Sequence, residues 1–273
     1  VGLGALLASA LLATPSVARA QESATVTILY NGGVRAWIDD CGCPSRPLGG
    51  LARRALEVDR ILAERPGALL VDAGGLFGDP TRDTLAQSRF VARETRAMGY
   101  ELVGLGAYEL GHGLDAVHAV AAETGLRFVG ANVFVEGARP FPAYEVIERD
   151  GVRIAVTSVF DPEYLDADFM VNAADVEVTD PVAVMQELLP EMDEKADVIV
   201  VLTSLRQSNA LVFLRRLHQS GHQQIDVMID AIFDNAIERP RRFGPTHVVA
   251  ANGQGKHVGQ LDVTVVDGEV SRI

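Results

Sequence analysis

Ala68-Leu69-Leu70-Val71-Asp72-Ala73-Gly74-Gly75 decides the fold: an unbroken apolar run ends on an aspartate and turns on two glycines. Consecutive apolar residues over so short a stretch read as a strand covered on both faces, as in a parallel sheet. Upstream, residues 48–63 have helical spacing, with Leu51, Ala55, Val58 and Leu62 on one side, and residues 25–30 are a β-branched, apolar strand. Downstream, Asp79-Pro80-Thr81 introduces a helix over 83–98. A short strand at 101–104, a helix at 114–124 and a strand at 127–130 follow. Strands alternating with helices predict parallel strands joined by helical crossovers.

The pattern changes further on. Residues 144–149 and 152–160 flank Asp150-Gly151, a strong hairpin signal. A helix over 181–195 leads into a strand at 198–202. Then come a helix around 211–217 and strands at 226–229, 246–250 and 259–266. No low-complexity linker or repeat period divides the chain. The expectation is an α/β (α+β) chain with two mixed sheets packed together and helices outside.

The 273 residues carry 24 basic and 37 acidic side chains, a net charge of −13, which argues against nucleic acid or anionic lipid as partner. Cys41 and Cys43 are the two cysteines, too few for a disulfide framework or a four-cysteine zinc module. Residues 1–20 hold a short apolar run and end in Ala18-Arg19-Ala20, which reads as an export signal cleaved before Gln21. No later stretch has membrane-spanning length. The expected location is therefore periplasmic or secreted, with no transmembrane segment in the mature chain.

Eight short stretches in this order resemble the N-terminal, metal-bearing domain of the 5′-nucleotidase/UDP-sugar hydrolase family, within the calcineurin-like metallophosphoesterases. They are Ile28-Leu29-Tyr30, Gly49-Gly50-Leu51-Ala52-Arg53-Arg54, Leu69-Leu70-Val71-Asp72-Ala73-Gly74 and Met98-Gly99-Tyr100. Ala131-Asn132-Val133, Gly151-Val152-Arg153-Ile154-Ala155-Val156, Thr179-Asp180-Pro181 and the run 255–262 complete them. The resemblance implies a four-layer sandwich, two facing mixed β-sheets flanked by helices. It also implies one such domain over 21–273, with the family's C-terminal nucleotidase domain expected to be absent.

The same resemblance implies a two-metal site with ligands in loops at strand ends. Gly33 and Arg35 stand where the family's Asp-x-His pair belongs, and Gly75 stands for the bridging Asp. Ala107 replaces the Asn ligand and Tyr108 the catalytic His; Ser204 replaces a later His. Ile232 and Asp234 stand for the final two His. Glycine, alanine and isoleucine offer no ligand atom, and an arginine repels cations. The expectation is no metal, no cofactor and no catalytic residue.

Other residues keep alternatives open. Cys41-Gly42-Cys43 reads as a loop staple, a pair with a redox or metal- or haem-contacting role, or an intermolecular bridge. Arg35 pairs with Asp234 across the vacated site, faces solvent, or binds an anion. Trp37 and Tyr108 are candidates to fill the pocket or form a contact patch. His112 beside Glu109 reads as polar surface, and His118 and His218 as solvated helix positions; Asp72 is expected to accept loop amides.

The resulting expectation is an exported, non-catalytic binding or accessory subunit with an unidentified protein partner. The alternatives are a phosphoester hydrolase with a rebuilt site, and a thiol-redox or electron-transfer accessory protein using Cys41 and Cys43.

Overall fold

The computed structural model describes residues 23–40, 42, 45, 47–164, 171–231 and 236–273. The expected signal, Cys41, Cys43, Ile232 and Asp234 lie outside the described residues. The first sheet is built from β1 (Ser23–Asn31), β2 (Leu69–Asp72), β3 (Leu102–Gly104) and β4 (Arg127–Val129), all parallel. Late in the chain, β13 (Gly259–Val266) adds antiparallel to β1, and β14 (Glu269–Arg272) adds antiparallel to β13.

The second sheet has a parallel centre of β7 (Val152–Phe160), β9 (Val198–Ser204), β10 (Val227–Asp230) and β12 (Thr246–Ala250). Antiparallel β6 (Tyr144–Arg149) and β11 (Arg241–Phe243) border it. A small separate pair joins β5 (Val133–Val135) to β8 (Val176–Val178). The β6–β7 hairpin turns on Asp150 and Gly151, whose φ values of 50° and 77° are the paired left-handed conformation of a two-residue hairpin.

Alternation along each strand sorts the core into three layers. Ile28, Leu69, Val71 and Leu102 face Val200, Leu202, Val227 and Ile229 between the sheets. Their strand neighbours point the other way. Leu29, Leu70 and Val103 pack beneath helices α1 (Leu51–Glu64), α2 (Leu85–Ala97) and α4 (Leu114–Thr124). Ile199, Val201 and Met228 pack beneath α5 (Pro181–Lys195) and α6 (Gln207–Gln219). The result is the four-layer α/β sandwich that the resemblance implies. Strands such as β9 read as continuous apolar runs because both of their faces are covered.

Several details differ from the sequence reading. A short helix α3 (Ala107–Gly111) follows β3, and β5, β8, β11 and β14 carry too little alternation to announce themselves. On α1 the buried line is Arg54, Val58 and Ile61 rather than a purely apolar one. Helix α6 extends a turn earlier than its apolar spacing indicates.

Candidate functional site

Parallel strands end at the same edge, so the loops after β1, β2, β3, β9 and β10 gather there. The first two are zipped together. Gly33 N–H donates to Gly74 O at 2.8 Å, Arg35 N–H to Gly75 O at 2.7 Å, and Ala36 N–H to Leu76 O at 2.8 Å. Arg35 and Ala36 are held at φ 55° and 53°, a left-handed pair that non-glycine residues adopt at a cost.

Glu109, on α3, pins the second loop to the third. Its wholly buried carboxylate accepts N–H bonds from Leu76 (2.6 Å), Phe77 (3.1 Å), Gly75 (3.1 Å) and Gly106 (3.0 Å). Burial pushes its pKa up while the amides oppose the shift. Every one of these contacts is a donor, so the ionised form matches the geometry. The sequence reading placed Glu109 on polar surface beside His112; its full burial under four backbone amides corrects that. Its one local signal was the Gly106-x-x-Glu109 spacing, in which a side chain reaches back to the amide before a helix.

The sequence-assigned positions converge. Gly33, Arg35, Gly75, Ala107, Tyr108 and Ser204 line one pocket, with Phe160 and Ala231 completing its wall. Its cavity volume is about 20 Å³, room for about one water molecule. The walls have closed where longer side chains would need space. A Cβ on Gly33 would lie 2.7 Å from Ala231 O, and one on Gly75 would lie 3.2 Å from Gly33 Cα. Both glycines sit at positive φ, 62° and 66°.

Arg35 lays its guanidinium over the Tyr108 ring, 5.1 Å from the centroid, a cation–π contact. Ser204 Oγ sits 3.5 Å from Ala73 O. Trp37 is 39% exposed and is not among the residues lining the pocket, so of its two alternatives the pocket-filling one does not hold. Among the described residues, no group of three or more His, Cys, Asp or Glu side chains comes together in a metal-holding arrangement. Asp234, the proposed partner of Arg35, and Cys41 and Cys43 are outside the described residues.

A polar layer lies beneath these loops. Asp72 Oδ1 accepts Gly74 N–H at 3.0 Å, as expected, while its Oδ2 has no partner. Burial pushes its pKa up to about 7, against the Gly74 amide and the nearby Arg54. Arg54 Nη2 donates to Thr95 Oγ1 at 2.6 Å and its guanidinium lies 5.7 Å from the Tyr100 ring centroid. Tyr100 donates to Asn31 Oδ1, and Asn31 Nδ2 donates to His257 O at 2.5 Å. These residues tie β1, β2, α1, α2 and the 253–258 loop together below the pocket.

The histidines take other places. His112 is half-buried rather than surface polar: its Nε2 lies 3.1 Å from Gly78 O and its ring meets Phe77 edge-on. His218 is half-buried against Phe243, and His118 is exposed and stacked on Phe141. A separate cleft of about 840 Å³, lined by Asp226, Arg242, His247 and Glu269 among others, opens at the opposite end of the second sheet.

The two facing sheets, outer helices and converging loops define the class: the fold is that of the calcineurin-like metallophosphoesterases. Within it, the chain resembles the N-terminal domain of the 5′-nucleotidases. A 5′-nucleotidase of Vibrio vulnificus (strain CMCP6) is 26% identical over 82% of this chain and 46% of its own length. Among solved structures, the Thermus thermophilus sulfate thiohydrolase SoxB, in complex with glycerol, superposes with a TM-score of 0.78 at 16% identity. That match covers 90% of this chain and 55% of the other. The calcineurin-like phosphoesterase YfkN of Bacillus subtilis gives 0.72 at 22% identity, covering 92% and 88%. No protein-family profile matches. The chain spans about half the length of the 5′-nucleotidases of Vibrio it matches.

Proposed function

We infer that this chain is a non-catalytic relative of the 5′-nucleotidases, an exported binding or accessory subunit that presents the old active-site edge to a partner. The observation that carries this reading is the composition of the pocket to which the family's ligand positions map. Gly33, Gly75 and Ala107 supply no ligand atom, Arg35 brings a positive charge, and Ser204 offers only a hydroxyl. Two adjacent divalent cations need several carboxylates and imidazoles to balance their charge. The residues at these positions do not fit that group, so no hydrolytic step is derived through it. Export rests on the sequence of residues 1–20. No helix among the described residues is long and apolar enough to cross a membrane.

The test is turnover. Residues 21–273 incubated with AMP and with UDP-glucose, in manganese, zinc or magnesium, are expected to release no phosphate, nucleoside or uridine above the protein-free blank. Metal-dependent release abolished by a chelator would overturn the reading.

A second reading has its own support. Relatives matched in sequence, from Vibrio vulnificus and Vibrio parahaemolyticus among others, are named 5′-nucleotidases, which favours a hydrolase whose site has been rebuilt from other residues. The same assay decides between the two.

A further inference from the structure

We propose that one ordered water molecule is bound beneath the pocket, between the Arg54 guanidinium and the Asp72 carboxylate, and that through it Arg54 is a positioning residue for the glycine loops above. The proposal goes beyond the binding-subunit reading and does not depend on it.

Burial is the first observation. Arg54 is 3% exposed, yet of its guanidinium nitrogens Nη2 alone is bonded, to Thr95, and Nε and Nη1 have no partner. Asp72 is 0% exposed and its Oδ2 has no partner. Buried polar groups are, with few exceptions, bonded to protein or to ordered water, and a charged group left unbonded is the costliest kind. Here donors and an acceptor are left over in the same layer, so a single molecule that both donates and accepts completes them.

The second observation is placement. Asn31 and Asp72 are register partners on β1 and β2. Tyr100 reaches Asn31 from the turn after α2, and the Arg54 guanidinium, from α1, lies 5.7 Å from the Tyr100 ring centroid. Burial raises the pKa of Asp72 and of Tyr100, and the Arg54 charge opposes the rise at both. The guanidinium therefore acts on Asp72 without bonding to it. A buried water makes about three hydrogen bonds to such groups. Charges of both signs face the spot, which disfavours an anion and a metal cation alike. Water accepts from Arg54 and either donates to ionised Oδ2 or accepts from its protonated form, so the bridge holds in both states of Asp72.

The third observation links this layer to the pocket. Asp72 Oδ1 accepts Gly74 N–H at 3.0 Å, and Gly74 O accepts Gly33 N–H at 2.8 Å. The terminal torsion of an aspartate is soft, so a bond at Oδ2 fixes the direction in which Oδ1 points. Arg54 thereby steers the 33 and 74 loops without touching either.

A crystal structure of the unsubstituted chain, at a resolution that shows waters, is the direct test. One peak is expected within ~3.2 Å of Asp72 Oδ2 and of Arg54 Nε or Nη1, with no anomalous signal there after a bromide soak. A direct Arg54–Asp72 bond, the lack of any peak, or a bromide signal would each overturn the proposal. Amide hydrogen exchange tests the positioning role. R54M keeps the apolar stem and loses every N–H; it is expected to speed exchange at Gly33 and Gly74 about tenfold relative to Val200 in β9. R54K, which retains a donor, is expected to restore most of that protection. Unchanged exchange at Gly33 and Gly74 would overturn the positioning role. So would equal acceleration at Val200, which marks a general loss of stability.

Discussion

Glu109 Oε1 accepts the N–H of Leu76 at 2.6 Å, across a separation of 33 residues. That bond and its three companions hold the β2 and β3 loops in register around the pocket whether or not a metal is ever bound. The frame around the pocket is thus set by backbone amides and one buried carboxylate.

Glu109→Gln is expected to cost ~3 kcal/mol of unfolding free energy, because one amide NH₂ would face backbone donors that now point at an oxygen. Urea denaturation measures it. A loss below ~1 kcal/mol would mean that the amides find other acceptors.

Asp72 sets a pH dependence. Its folded pKa of about 7 lies above the ordinary carboxylate value of 3.8, so the native state holds a proton that the unfolded chain releases. Its contribution is therefore fully present below about pH 4 and is lost as pH rises through about 7. Stability should fall between about pH 4 and pH 7 by up to ~1.4 kcal/mol per unit from this group. Asp72→Asn should flatten that slope while an amide oxygen keeps the Gly74 bond. An unchanged slope in the variant would contradict the assignment.

Restoring one family residue should not restore the site. Gly33→Asp places a Cβ 2.7 Å from Ala231 O at a φ of 62°. We expect ~2 kcal/mol of destabilisation, seen as a lower melting temperature, and no gain in metal affinity. A Gly33→Asp protein as stable as the parent would show that the 231 loop yields easily.

Much of this was legible in sequence, for physical reasons. Strands covered on both faces, such as 198–204, announce themselves by unbroken apolar runs, and Asp150-Gly151 specifies its own turn. The pocket lining could be assigned because the family resemblance fixes those positions at or just after strand ends. The Glu109 clamp was hidden because three of its four donors are backbone amides 32 to 34 residues away, which leave no mark on side-chain pattern. Arg54 was hidden for a related reason: its burial depends on Thr95 and Tyr100 arriving from another helix and its following turn. Sequence left Trp37 open between filling the pocket and forming a contact patch, because nothing in its neighbours' pattern says which way its side chain turns; the structure leaves it 39% exposed and outside the pocket lining.

The measurement that tests the central claim most directly is the metal content of residues 21–273. The chain is equilibrated with manganese and zinc, dialysed, and analysed by elemental mass spectrometry. The account predicts well below ~0.1 equivalent of either metal, since a pocket of glycine, alanine, serine and arginine lacks the charge to hold a divalent pair. One or two equivalents retained would contradict it and establish a rebuilt metal centre.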